Sequence, residues 1–226
     1  MTSPANIAWK SPLLDLLLAI RAKPKVILSG GHRPPLNGQR VYPRALQQPL
    51  PVWIASGGTP QSVVRAGMLG LKLAIAIIGG EPARFQPLAE LYREAGRRAG
   101  QAPDALAVGI NGHGFLADTT EGAVDAFFRP YAEVMSRIGR ERGWPPLTRA
   151  QFDMGRGPRG HLMVGTPDEA IAKILGQYEV FGHQRYLMQM AVGAQPQRAI
   201  LRSIELLGTV VKPAVNEALA KRKVPA

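Results

Sequence analysis

Ser56-Gly57-Gly58-Thr59-Pro60 is the segment of this chain whose residue types are best suited to holding a charged ligand. It joins an apolar, strand-like run over 52–55 to the start of a helix. Glycines let a ligand approach the backbone closely. Free N–H groups at a helix N-terminus favour an anion such as phosphate. Ser56 and Thr59 add hydroxyl donors. The same residues also read as a tight turn followed by an ordinary cap. Gly165-Thr166-Pro167 repeats the Gly-Thr-Pro pattern, so cap chemistry alone marks no site, and both readings stay open.

Other chemistry-bearing residues are sparse. Gly155-Arg156-Gly157-Pro158-Arg159-Gly160 spells G-x-G-x-x-G, but no strand precedes it, Pro158 interrupts it and no helix opens from Gly160, so it is not a dinucleotide fingerprint. It reads instead as a mobile basic loop, either plain surface or able to meet an anion. The histidines are His32, His113, His161 and His183, none with a second histidine at helical ligand spacing, so metal catalysis is not expected. His113, in Asn111-Gly112-His113-Gly114, is either a satisfied core histidine or a donor facing a bound ligand. Gln189, between Met188 and Met190, carries the same ambiguity. The chain has no cysteine, which excludes disulfides, thiol catalysis and cysteine-held clusters. No residue is assigned a catalytic role.

The elements that must position these residues alternate. Leu13, Leu14, Leu17, Leu18 and Ile20 line a first helix ending near Pro24. Val26-Ile27-Leu28 and Arg40-Val41-Tyr42 suggest a hairpin around Gly30-Gly31. Strands are expected at 52–55, 71–78, 106–116 and 186–192, the second buried on both faces because its run is unbroken. Thr59 and Pro60 start one helix and Gly70 stops it. Asp118 with Glu121 and Thr166 with Glu169 form capping boxes for two more. Pro130 should kink the first of these, Gly182 ends the second, and Gly208 breaks the last long helix. Residues 140–163 read as irregular. Strand–helix alternation with short loops means parallel βα units. A barrel and an open doubly wound sheet both accommodate four such strands.

With 226 residues and 46% hydrophobic content the chain can bury one large core. Its 28 basic against 16 acidic residues give a net charge of +12, a surface that attracts anions. Basic residues cluster at Arg97-Arg98, Arg137-Arg140-Arg142, Arg156-Arg159 and Lys221-Arg222-Lys223. Only 6% of residues are aromatic, and no stripe interleaves them with the cations, which argues against nucleic-acid binding. The apolar runs fall far short of the roughly 20 residues that span a bilayer. The run over 13–20 is interrupted by Asp15 and no cleavage site follows. A cytoplasmic protein is expected.

Taken in order, several segments resemble the luciferase-like monooxygenases. They are Leu13-Leu14-Asp15-Leu16-Leu17-Leu18-Ala19-Ile20, Gly38-Gln39-Arg40-Val41-Tyr42-Pro43-Arg44 and Pro49-Leu50-Pro51-Val52-Trp53-Ile54-Ala55-Ser56-Gly57-Gly58-Thr59-Pro60. The match continues through 71–80, Val108-Gly109-Ile110-Asn111, Gly165-Thr166-Pro167-Asp168-Glu169 and Arg185-Tyr186-Leu187-Met188-Gln189-Met190. It covers nearly the whole chain.

The resemblance implies an α/β fold, an incomplete (β/α)8 barrel that is roughly its second half, as a single domain over 1–226 with 140–163 as an irregular insertion. Family members begin with four βα units that this sequence lacks, as in a truncated gene, a late start or one chain of a split protein. The function implied is a flavin-dependent oxidoreductase of monooxygenase type, in which reduced FMN and O2 oxygenate a small organic substrate. In the branch using the deazaflavin F420 it is hydride transfer. Ser56, Gly57, Gly58 and Thr59 match the loop that holds the flavin phosphate. The partners implied are a small-molecule substrate, O2 and a flavin reductase, together with a second copy or a missing-half chain; nucleic acid and membrane are not among them. Two other readings stay open: a non-catalytic half-barrel that binds a phosphate-bearing ligand or a partner chain, and a basic nucleic-acid-binding protein. In a half-barrel, Val52, Ile54, Leu73, Ile75, Ile77, Val108, Ile110, Leu187 and Met190 should be partly exposed unless something covers them, and the chain oligomeric or poorly soluble.

Overall fold

A computed structural model describes residues 12–29 and 33–222. Gly30-Gly31, His32, the segment 1–10 and Lys223 lie outside the described residues. Two compact units divide at Val52 and Trp53.

In the first unit, helix α1 (Pro12–Ala22) precedes an antiparallel pair, β1 (Val26–Leu28) and β2 (Leu36–Gln39). The second hairpin strand thus lies before Arg40-Val41-Tyr42, where the sequence had suggested it. Gly38 at φ 77° occupies the left-handed region within β2, and the register slips between Val26 and Ile27. Arg44 closes the end of α1: its guanidinium donates to the carbonyl of Ile20 at 2.9 Å and to that of Arg21 at 3.4 Å. Such carbonyls have no partner within the helix itself.

The second unit is built on a five-stranded parallel sheet. Its strands are β3 (Trp53–Ser56), β4 (Lys72–Ile77), β5 (Val108–Leu116), β6 (Met163–Gly165) and β7 (Arg185–Gln189). The intervening helices are α2 (Pro60–Met68), α3 (Gln86–Arg98), α4 (Thr120–Arg142), α5 (Arg149–Arg156) and α6 (Pro167–Phe181). After β7 come α7 (Gln197–Leu206), a π-helical stretch (Leu207–Val211) and α8 (Lys212–Arg222). β3 pairs with β4 and β4 with β5, while both β7 and β6 pair with β5 at successive levels. β5 has nine residues, long enough to reach past the ends of β4 and β7 and pair Gly114, Phe115 and Leu116 with β6.

The strand interiors divide cleanly between two faces. Leu73, Ile75, Ile77, Val108 and Ile110 pack with Val63, Ala66, Ala89 and Tyr92 from α2 and α3 in one buried cluster. These five strand residues were expected to be partly exposed, as were Val52 and Met190, and the structure corrects that: the five face the helices, and Val52 and Met190 are buried as well. The opposite face carries Lys72, Ala74 and Ala76, all half-buried, and Ala55, Arg185, Leu187 and Gln189, all exposed. β4 is therefore buried on one face, not two. Ala74 and Ala76 count as apolar, so they hid the alternation. Trp53 lies on this open face between Lys72, whose Nζ is 5.5 Å from the ring centroid, and Arg185, whose guanidinium carbon is 4.8 Å away.

Close packing fixes the helices. A Cβ at Gly67 would collide with the carbonyl oxygen of Tyr92, so α2 meets α3 through a glycine. The buried Tyr92 hydroxyl donates to the carbonyl of Leu71 at 2.8 Å and lies 3.3 Å from that of Ala107, tying α3 to the starts of β4 and β5. Desolvation pushes its phenol pKa up to about 12. Beyond β4, the other face of β5 is covered by α4: Phe115, Phe127, Tyr131, Phe152 and Val164 form a second core. Leu116 and Met163 turn the other way, to Ala170, Ile174 and Leu206.

Several expectations about punctuation hold and others do not. Thr166 caps α6 in a full capping box with Glu169, and Gly182 ends it at φ 54°. The cap of α4 is Thr119, which accepts from Gly122 N–H; Asp118 instead pairs with Arg202 at 2.6 Å. Segment 140–163 is not irregular throughout, because Thr148 and Gln151 form a capping box that opens α5. Gly208 does not break the last helix, which passes through it as a π-turn into α8.

Candidate functional site

The carboxyl ends of the parallel strands bring together the loops that can bind a ligand. At the end of β3, Ser56 is buried, whereas Gly57, Gly58 and Thr59 are exposed. A Cβ at Gly57 or Gly58 would meet no atom within 4 Å, and Gly58 sits at φ 131°, a conformation that a side chain rarely adopts. Ser56 Oγ accepts from Gly58 N–H and approaches the Thr59 carbonyl, both at 3.4 Å. Its role is therefore to shape the loop from inside. Thr59 occupies the cap position of α2 but makes no side-chain cap bond, and Pro60 follows it. The result is a short open cradle of backbone and one hydroxyl at a helix N-terminus, with no acidic residue in the first turn.

Next to it in strand order, β4 is followed by Gly79-Gly80, and Gly80 lines a cavity of about 670 Å³. Gly80, Glu81, Arg84, Met154, Arg159 and His161 are among its lining residues. Arg159 reaches across to Glu81 with both carboxylate oxygens at 2.9 and 3.0 Å. Arg84 is exposed and has no carboxylate partner among the described residues. The His161 imidazole is held neutral, its pKa pushed down to about 4 by desolvation and by the neighbouring His113 and Lys173. His113 Nδ1 lies 3.2 Å from the Tyr131 hydroxyl, the two rings edge-on at 5.5 Å, and burial lowers its pKa too. His113 is thus a satisfied core histidine, whereas Gln189 projects from the exposed face.

The glycine–arginine segment beside this cavity is tethered. Lys173 Nζ donates to three carbonyls, those of Arg156 at 3.2 Å, Gly157 at 2.9 Å and Leu162 at 2.6 Å. Desolvation pushes that ammonium down to about 8 while the three acceptors hold its protons. This anchor was missed at the sequence level. It stands at 173 in the stripe Ala170, Ile174, Gln177, Phe181 that α6 buries, and a lysine at helical spacing within a buried stripe was the available signal. The basic clusters are largely engaged at the surface: Arg97 and Arg98 pair with Glu94, and Arg156 pairs with Asp153. Among the described residues no group of three or more His, Cys, Asp or Glu side chains is placed to hold a metal ion, and no helix is long and apolar enough to cross a membrane.

The sequence matches the model of a family described as luciferase-like monooxygenase over residues 13–185. The chain belongs to the luciferase-like monooxygenase family. No curated protein matches it. Among solved structures, monooxygenase RslO1 from Streptomyces bottropensis is similar with a TM-score of 0.69 at 22% identity, over 88% of this chain and 59% of that one. An F420-dependent secondary alcohol dehydrogenase in complex with an F420-acetone adduct is similar at 0.64 and 16% identity, over 90% of this chain and 60% of that one. The oxygenating constituent of 3,6-diketocamphane monooxygenase from Pseudomonas putida, in complex with FMN, is similar at 0.57 and 20% identity, over 90% and 62% respectively. These likenesses establish the luciferase-like fold. The chain spans about 60% of the length of the structures it matches and, unlike a closed barrel, its sheet is open.

Proposed function

We propose that this luciferase-like chain contributes the phosphate-binding side of a flavin-dependent oxidoreductase of monooxygenase type, acting on a small organic substrate with O2. The observation that carries this reading is the cradle at Gly57, Gly58 and Thr59, at the carboxyl end of a parallel strand, where this fold class places its ligands. The residues fit a phosphate monoester: two glycines leave the approach clear, backbone N–H groups and the Thr59 hydroxyl supply donors, and the α2 N-terminus favours the charge.

FMN, when bound, would supply the redox chemistry toward O2. This chain's own residues do the rest. Ser56 holds the loop from inside, Thr59 and the loop N–H groups anchor the phosphate, and the cavity beside Gly80 and His161 admits a small molecule at the same end of the sheet. His161, neutral at pH 7, can accept or donate one hydrogen bond there without bringing a charge. The reading takes residues 1–226 as part of one barrel-type domain in the cytoplasm, served by a flavin reductase and completed by a second copy or a partner chain. The likeness to an F420-dependent dehydrogenase supports hydride transfer with a deazaflavin as the second reading.

Fluorescence titration with FMN tests the cradle. Thr59→Ala should weaken binding about tenfold, the equivalent of one charge-assisted hydrogen bond. Gly57→Asp, sterically free at that position, should abolish binding by repulsion. Affinity unchanged in both variants would show that the loop is only a turn.

A further inference from the structure

The open face of the sheet has a charged end. Trp53, Lys72 and Arg185 are the first residues of β3, β4 and β7, on the side away from α2 and α3. The Trp53 indole reaches over β4 to Gly109 of β5, where a Cβ would meet the ring at 3.0 Å. Glycine at 109 gives it room. Lys72 Nζ and the Arg185 guanidinium both lie against that ring, at 5.5 and 4.8 Å from its centroid. Cation–π attraction therefore holds two positive charges close to the sheet instead of leaving them on free stems in solvent.

Nothing in the chain neutralises them. All 16 Asp and Glu side chains lie among the described residues, and none is ion-paired with Lys72 or Arg185. Other cations of the unit do find carboxylates, Arg159 at Glu81 and Arg202 at Asp118. Beyond the charged end the face continues through Ala55, Ala74, Ala76 and Leu187, exposed or half-buried. Parallel sheets occur almost entirely with both faces covered, so this face calls for a cover. A second copy is a poor one. Two such faces set together would oppose cation to cation, and each chain carries a net charge of +12. Pairing of copies along one-sided strands leaves the face unmatched.

We propose that this face docks a different, acidic polypeptide, whose apolar side chains cover Ala74, Ala76 and Leu187 and whose carboxylates pair with Lys72 and Arg185 around Trp53. The proposal rests on the reading that a partner chain completes the molecule, and not on the FMN cradle. Charge complementarity of this kind fixes orientation more than affinity. Both cations stand at the amino-terminal end of the strands, so the acidic part of the partner lies at the end opposite the cradle.

The test titrates a short blocked peptide of alternating valine and glutamate into the 226-residue protein, followed by calorimetry. A carbodiimide, which joins carboxylates to lysine amines, then fixes the contact for mapping. The peptide is expected to bind saturably, to weaken as salt rises, and to be amide-linked to Lys72. A glutamine-for-glutamate version should bind at least tenfold more weakly. Lys72→Gln with Arg185→Gln should weaken the glutamate peptide about tenfold. Arg137→Gln with Arg140→Gln removes two exposed charges on α4 and should leave its affinity unchanged. Equal losses in the two double variants, equal binding of the glutamine peptide, or links that avoid Lys72 would each overturn the proposal, and so would no binding at all. Lys72 linked to an acidic residue of another copy, without peptide, would overturn it in favour of self-docking. Tighter binding of a single DNA strand, lost with the Lys72 and Arg185 replacements, would overturn it in favour of a nucleic acid. FMN titration does not involve this face, so a failure here and a failure at the cradle are told apart.

Discussion

Three histidines in the β-sheet unit are kept neutral by burial. His161 and His183 are pushed down to about 4 from an ordinary 6.5, and His113 is lowered in the same direction. An unfolded chain binds these protons near pH 6.5, whereas the folded chain resists those of His161 and His183 until about 4. Their contribution to stability is therefore complete above pH 6.5 and is lost as pH falls through 4, by about 3 kcal/mol each for His161 and His183 at the limit. Denaturation at pH 7, 5.5 and 4.5 should show falling stability before the carboxylates titrate, and His161→Gln should flatten part of the slope. A flat profile down to pH 4.5 would mean that the imidazoles reach solvent. At this scale the sequence was partly legible. Gly57, Gly58 and Thr59 form the turn from β3 into α2 that the sequence suggested, because glycine and proline preferences are local. Ser56 turned inward, which only the course of the loop decides, and the Glu81–Arg159 contact spans 78 positions that no local pattern connects.

Among the elements, α7 is fastened to the sheet by one buried hydroxyl. Ser203 is fully buried, and its Oγ accepts from Leu116 N–H at 2.8 Å, at the last residue of β5. Ser203→Ala leaves that N–H unpaired in the core, so it should cost about 1–3 kcal/mol, read as a lowered denaturation midpoint with unchanged slope. No loss would mean that another acceptor or water reaches Leu116. The sequence revealed most elements through period and punctuation, including the helices started by Thr59 and Thr166 and stopped by Gly70 and Gly182. It missed β6, whose three residues are too few to show a period and whose pairing depends on the overhang of β5. It missed α5 because Gly155-Arg156-Gly157 reads as loop, although Thr148 and Gln151 form its cap. It placed Leu73, Ile75, Ile77, Val108 and Ile110 on the wrong face, since with alanine and glycine between them the strand pattern does not say which side the helices take.

For the whole molecule, among the described residues the sheet unit has an exposed face and three strands, β3, β6 and β7, that pair on one side only. Leu187 is 41% exposed there, and Arg185 and Lys72 supply charge that opposes indiscriminate edge pairing. The isolated chain should self-associate, with sedimentation velocity showing species above the monomer at micromolar concentration. A single monomeric boundary with a cooperative thermal transition would sink that expectation. Half-buried on this face, between two cations, Trp53 is a built-in optical reporter. An indole in that setting emits as a partly wet fluorophore. Whatever comes to lie on the sheet must dry it or draw a cation away, so the colour of its emission records coverage without any added label.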